Sequence, residues 1–103
     1  MIVVTVAGKV KPEFRQTFLE HMQELAPVVL AEEGCIKYQQ NISAADEHTL
    51  FLYEEWQSEA HLLTHLDSPH MKAHLAQARP WFDWVEMKML NASPLTLPGA
   101  EHE

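Results

Sequence analysis

At 103 residues, 47% hydrophobic and 21% charged, the chain holds one globular domain with a single core and is too apolar for disorder. Fifteen Asp and Glu against seven Lys and Arg leave a formal charge of −8, which excludes a basic stripe for tracking phosphates and disfavours nucleic acid or an anionic membrane as partner. A single cysteine excludes an intramolecular disulfide framework.

Ile2 to Val10 (IVVTVAGKV) is rich in β-branched residues and predicts a strand that stops before Pro12. Pro12 suits the first turn of a helix, and Glu13 suits its positive end. Phe14, Phe18, Met22, Leu25 and Val29 then recur at three- and four-residue spacing, with Leu19, Ala26 and Leu30 widening the stripe. Pro27 falls inside this pattern, so a kink or a split last turn is expected there, and Gly34 is the expected stop.

Cys35 to Ile42 predicts a second strand with Ile36, Tyr38, Gln40 and Ile42 on one face. Cys35 reads as a small buried hydrophobe rather than a nucleophile, since Lys37 is its only basic neighbour. A polar turn over Ser43 to His48 leads into a third strand, Thr49 to Trp56 (TLFLYEEW), which should pair with the second as an antiparallel hairpin. Ser58 is an N-cap for a short helix over Ala60 to Leu66. Ser68 caps a second start, with Pro69 in its first position and helix over His70 to Ala78. Pro80 ends it. Trp81 to Asn91 alternates unevenly as a fourth strand, and Pro94 and Pro98 punctuate a tail.

The order β-α-β-β-α-β predicts an α+β, ferredoxin-like fold: a four-stranded antiparallel sheet with the helices on one face. The domain should cover residues 1–92, with 93–103 as a C-terminal tail. Leu50, Leu52 and Trp56 alternate with Phe51 and Tyr53, so both sheet faces are apolar, and a homodimer across the open face is expected. No basic, apolar leader opens the sequence and no apolar run reaches the length of a bilayer span, so a cytoplasmic location is expected.

Chemistry concentrates in one stretch. Four of the seven histidines, His61, His65, His70 and His74, form two i,i+4 pairs separated by Ser68-Pro69. Imidazole titrates near neutrality, so such a cluster beside apolar residues points to proton transfer or to metal binding. No cysteine joins the four and no metal-binding signature is present, so no metal is expected. His61 and His74 read as helix-surface residues. His65 lies near the stripe facing the sheet, and His70 is the second residue of the Ser-Pro helix start. Either one, facing an apolar cavity, could take a proton from a phenol. Glu54 shares a strand face with Leu50, Leu52 and Trp56, where a carboxylate needs a partner, and an imidazole from the short helix is the obvious one. Tyr38 extends the same wall, and Trp81 and Trp84 either line a pocket or fill the core.

Glu33-Gly34-Cys35, Glu54-x-Trp56 and the block His65-Leu66-x-Ser68-Pro69-His70-Met71-Lys72-Ala73 resemble the antibiotic biosynthesis monooxygenase family, above all its small quinol-monooxygenase-like members. The resemblance spans residues 2–92 and implies a dimeric ferredoxin-like α+β barrel. It also implies oxidation of a quinol, anthrone or related small aromatic substrate by O2 with no cofactor. His65 or His70 would be the catalytic base, Glu54 its orienting partner, and Tyr38, Trp56 and Trp81 the substrate-binding wall. Two other activities stay open: isomerisation of a phosphorylated sugar, using Lys37, Lys72 or Arg79, and binding of a quinone or phenol without turnover. Haem degradation fits poorly, because the first strand lacks the Asn and the short helix the Trp of that branch.

Overall fold

The computed structural model describes residues 1–99. Seven regular elements follow in chain order: β1 (Ile2–Val10), α1 (Arg15–Leu30), β2 (Cys35–Ile42), β3 (Thr49–Trp56), α2 (Glu59–Asp67), α3 (Pro69–Ala78) and β4 (Phe82–Asn91). The strands form one antiparallel sheet in the order β2-β3-β1-β4, which is the ferredoxin-like topology. Of the tail expected over residues 93–103, positions 100–103 lie outside the described residues. No helix among the described residues is long and apolar enough to cross a membrane.

The valine-rich β1 is central, paired with β3 on one side and β4 on the other, and Val4 and Val10 are buried. Alternation sends Ile2, Val4 and Val10, with Leu50, Glu54 and Trp56 of β3, to the face covered by the helices. From α1, Phe18, Met22, Leu25 and Val29 meet them, as the three- and four-residue spacing requires. The two-piece second helical segment turns on Ser68. Its hydroxyl donates to the His65 carbonyl at 2.6 Å and accepts from the Met71 amide, so one side chain closes α2 and opens α3.

Three details differ from the sequence pattern. The helix does not split at Pro27: α1 runs to Leu30, and the proline is exposed, where water can reach the carbonyl it leaves unpaired. The alternation of β2 breaks at Ile36. Cys35 pairs with Trp56 but Lys37 with Glu55, so Ile36 is an extra, half-exposed residue and does not share the face of Tyr38. Trp81 is not in a strand. It ends a 3-10 turn over Arg79–Trp81, begun by Pro80, and β4 starts at Phe82.

One glycine is essential to this arrangement. Gly34 has φ +85°, and a Cβ there would overlap the His61 ring. Gly34→Ala should therefore lower stability by about 1–3 kcal/mol, read from the urea midpoint at unchanged m-value.

Candidate active site

A cavity of about 490 Å³ lies between the helices and the sheet. Its walls are mainly apolar, with Val4, Val6 and Leu52 from the central strands and Leu62, Leu66 and Met71 from the helices. Tyr38, Glu54, His65, His74 and Arg79 are the polar groups that reach it. An apolar cavity with a few convergent polar groups is the usual form of a small-molecule site.

His65 is 2% exposed and stands on the wall of this cavity and of a second, polar cleft lined by Glu32, Glu33, His61 and Thr64. Its ring leans on the buried Trp56 indole, with centroids 4.5 Å apart. Its Nδ1 lies 2.6 Å from Oε2 of Glu32, in the turn that follows α1. An ionised carboxylate only accepts hydrogen bonds, so Nδ1 carries the proton and Nε2 of the neutral ring keeps its lone pair. Nε2 makes no hydrogen bond among the described residues, which leaves it free for a ligand.

His70 closes the other side of the same carboxylate, with Nε2 at 3.2 Å from Glu32 Oε2 and 3.2 Å from Ser68 Oγ. Since the Ser68 proton goes to the His65 carbonyl, the hydroxyl accepts from His70, and His70 Nε2 is the donor. Glu32, His65 and His70 thus present three donor atoms within 4.8 Å of one another, a set chemically suited to a transition-metal ion. In this structure the Glu32 carboxylate accepts from His65 Nδ1–H, and His70 Nε2–H goes to Ser68 Oγ.

Glu54 is 5% exposed and accepts from Trp56 Nε1–H at 3.0 Å. Burial pushes its carboxyl above the ordinary carboxylate range, against the opposing pull of the Trp56 bond and of His65. Burial likewise pushes the Tyr38 phenol up to about 12. His74 is held down to about 4, by burial first and then by the neighbouring His21 and His65. Its Nδ1 lies 2.8 Å from His21 Nε2 on α1.

The structure brings His65, Glu54 and Tyr38 to one cavity, as the sequence pattern expects, but it redistributes the partners. The carboxylate that grips the imidazole is Glu32, not Glu54, which is committed to Trp56. His70 does not line the cavity and is linked to it only by way of Glu32 and then His65. Trp56 is wholly buried behind His65 rather than on the wall. Trp81 does not line the cavity either: it packs against Phe14, Phe18 and His21 as core. Cys35 is half-buried against the core, with its thiol pushed up by burial, as expected of a structural cysteine. His74, expected on the surface, is a cavity residue. Glu32 and His21 were missed. Glu32 stands beside the Glu33-Gly34 turn and gave no signal of its own, but His21 sits on the apolar stripe of α1, three residues after Phe18, and that position was readable.

The fold is a ferredoxin-like α+β scaffold in which His65, held by the Glu32 carboxylate, stands on the wall of an apolar cavity. The chain belongs to the antibiotic biosynthesis monooxygenase family, whose sequence profile matches residues 1–77. It is 34% identical over 79 residues to the Bacillus subtilis protein named "Putative monooxygenase YcnE", covering 77% of this chain and 83% of that one. It is 33% identical over 84 residues to the "Probable quinol monooxygenase YgiN" of Escherichia coli K12, covering 72% and 81%. A conserved protein from Methanosarcina mazei superimposes with a TM-score of 0.85 at 30% identity, over 89% of this chain and 92% of that one.

The raised Glu54 has a stability consequence with a definite sign. Between its unfolded and folded pKa values the native state keeps a proton that the unfolded chain has lost, so this contribution to stability is complete below the unfolded value and fades as pH rises through the folded one. Glu54→Gln, which can still accept from Trp56, should remove that decline. Urea unfolding of wild type and variant at pH 4 and pH 7 should show the variant gaining relative to wild type at the higher pH.

Proposed function

We propose that the protein is a cofactor-independent monooxygenase that oxidises a quinol, anthrone or related phenol with O2, His65 acting as the base. The observation that carries this reading is His65 on the wall of an apolar cavity, its Nδ1 held at 2.6 Å by Glu32 and its Nε2 free. His65 Nε2 takes a phenolic proton, while Glu32 fixes the ring and its tautomer and compensates the charge that develops. Ground-state O2 reacts slowly with closed-shell molecules, but a phenolate can give it one electron. The radical pair then joins to a peroxide, which loses water when a proton returns. For a hydroquinone the balance is quinol plus O2 giving hydroxyquinone plus water, with all four electrons drawn from the substrate, so the reaction needs no external reductant.

The lining supports a phenol over a sugar phosphate. Arg79 is the one Lys or Arg on the cavity wall, Lys37 is exposed, and Lys72 pairs with Asp67 on the surface at 2.9 Å. Oxygen uptake by chelator-treated protein over a panel of hydroquinones and anthrones, with product mass, tests the reading. Uptake should exceed the autoxidation blank, and His65→Ala should lower kcat by roughly 10²–10⁴-fold. Glu32→Gln should lower it less. A flat trace across the panel would sink the oxygenase reading, and ligand affinity without turnover would make the protein a binder.

The bare sheet face, where Phe51 is 41%, Trp84 46% and Leu90 51% exposed, belongs in this reading against a second copy of the chain. Light scattering after gel filtration should give a dimer, and Phe51→Lys with Trp84→Lys should give a folded monomer.

A further inference from the structure

We propose that His21 and His74 form a proton wire between the cavity and solvent, serving the oxidation inferred above and resting on that reading. His74 lines the cavity, whereas His21 lies outside it on α1 and is half-buried. Their nitrogens approach to 2.8 Å, the ring planes are 10° apart and the centroids 5.0 Å apart. Nearly coplanar rings at that separation meet edge to edge, so the contact is an in-plane N–H···N bond. Trp81 sets its face or edge square to His21, with centroids 5.5 Å apart and planes at 81°, and itself leans on Phe14 and Phe18. The outer nitrogens, His74 Nε2 and His21 Nδ1, make no hydrogen bond among the described residues.

One bond between two neutral imidazoles holds one proton, and this couples the outer nitrogens. When His21 Nε2–H donates to His74 Nδ1, His74 Nε2 is a donor and His21 Nδ1 an acceptor. In the other tautomer, His74 Nδ1–H donates to His21 Nε2, which leaves His74 Nε2 as a base facing the cavity and His21 Nδ1–H facing outward. From that state a second proton leaving the substrate, after the one His65 takes, lands on His74 Nε2, the proton on His74 Nδ1 crosses to His21 Nε2, and the proton on His21 Nδ1 passes to water. Bonds made and broken balance, and neither ring is left charged. Burial makes a charged His74 expensive, holding its pKa down to about 4, and a transfer that never charges the ring avoids that cost. The shift also leaves the wire set to run backwards. The next proton enters from water at His21 Nδ1 and leaves His74 Nε2 for the cavity, where the peroxide must gain one to release water. Export of one proton and return of one agree with an overall reaction that exchanges none with solvent.

The bland alternative is two buried imidazoles satisfying each other. Oxygen uptake by His21→Ala and His21→Phe separates the two, with urea unfolding alongside. A wire predicts kcat lowered by on the order of 10²-fold with KM unchanged in both variants, and recovery by free imidazole only in His21→Ala, where the ring's space is open. Unchanged kcat, or a loss that imidazole does not restore in a folded His21→Ala, would overturn it. Should wild type show no uptake, the oxygenase reading fails separately, and the wire is decided by ¹⁵N-histidine NMR with 4-nitrophenol as the probe. Joint switching of the His21 and His74 tautomers on binding supports the wire, and tautomers that stay fixed overturn it.

Discussion

One hydrogen bond, 2.6 Å between Glu32 and His65, ties together the parts of the molecule that sequence keeps apart. Glu32 belongs to the turn closing α1, His65 to α2, and the same oxygen reaches His70 at the start of α3. A carboxylate bond to a buried imidazole is stronger than a neutral one, and losing either partner leaves the other without its hydrogen bond. The constraint propagates outward. To bring Glu32 over α2 the chain must reverse within a few residues, which explains the left-handed Gly34 and the overlap that any side chain there would have with His61. It must also stop α2 one turn past His65, and Ser68 does so by bonding the His65 carbonyl itself.

The net charge of −8 says little about the cavity, because the local medium dominates there. Glu54, Tyr38 and Cys35 are all displaced toward their neutral forms, with burial as the leading cause each time. Tyr38 is the instructive one. It is itself a phenol on this wall, and its rise to about 12 shows how strongly the cavity resists making a phenolate. A phenol bound as proposed would meet the same resistance. A lone imidazole would do little against it. Under the proposed oxidation, an imidazole backed by a carboxylate would offer the departing proton a place in a compensated pair, and Glu32 stands behind His65 in that position.

The scaffold was legible because its signals are local. A β-branched run marks β1, alternating Leu and aromatic residues mark β3, two serines with N-cap chemistry mark α2 and α3, and the three- and four-residue spacing from Phe14 to Val29 marks the buried face of α1. What escaped was non-local or of low contrast. The bulge at Ile36 hides in a strand whose letters alternate acceptably on either side of it. Glu32 and His65 are 33 residues apart, and pattern cannot say which of two acidic residues before a glycine will turn inward. Glu54 lies on the face the alternation predicts, but its hydrogen bond comes from Trp56 Nε1–H, two residues along its own strand, rather than from an imidazole of the short helix. His74 was read on α3 alone, without the stripe histidine His21 that covers it.

The two imidazoles on the cavity wall therefore differ in kind. His65 is held by a carboxylate, which can compensate the charge of a proton taken from a ligand. His74 is held by another imidazole, and burial denies it a charge, so it can only pass a proton on. The proposed oxidation of a phenol by O2 would call for both abilities. The proton must leave before the electron does, because the neutral phenol is a poor donor. A proton must also be on hand once oxygen has been reduced, because a peroxide that cannot gain one cannot release water. A site with the ion-paired base alone would have to recycle a single proton through the substrate pocket. A site with the relay alone would have nothing to stabilise the phenolate while the electron moves. Placing one of each on the same apolar wall separates the two tasks, and the carboxylate that distinguishes them comes from the turn that Gly34 makes possible.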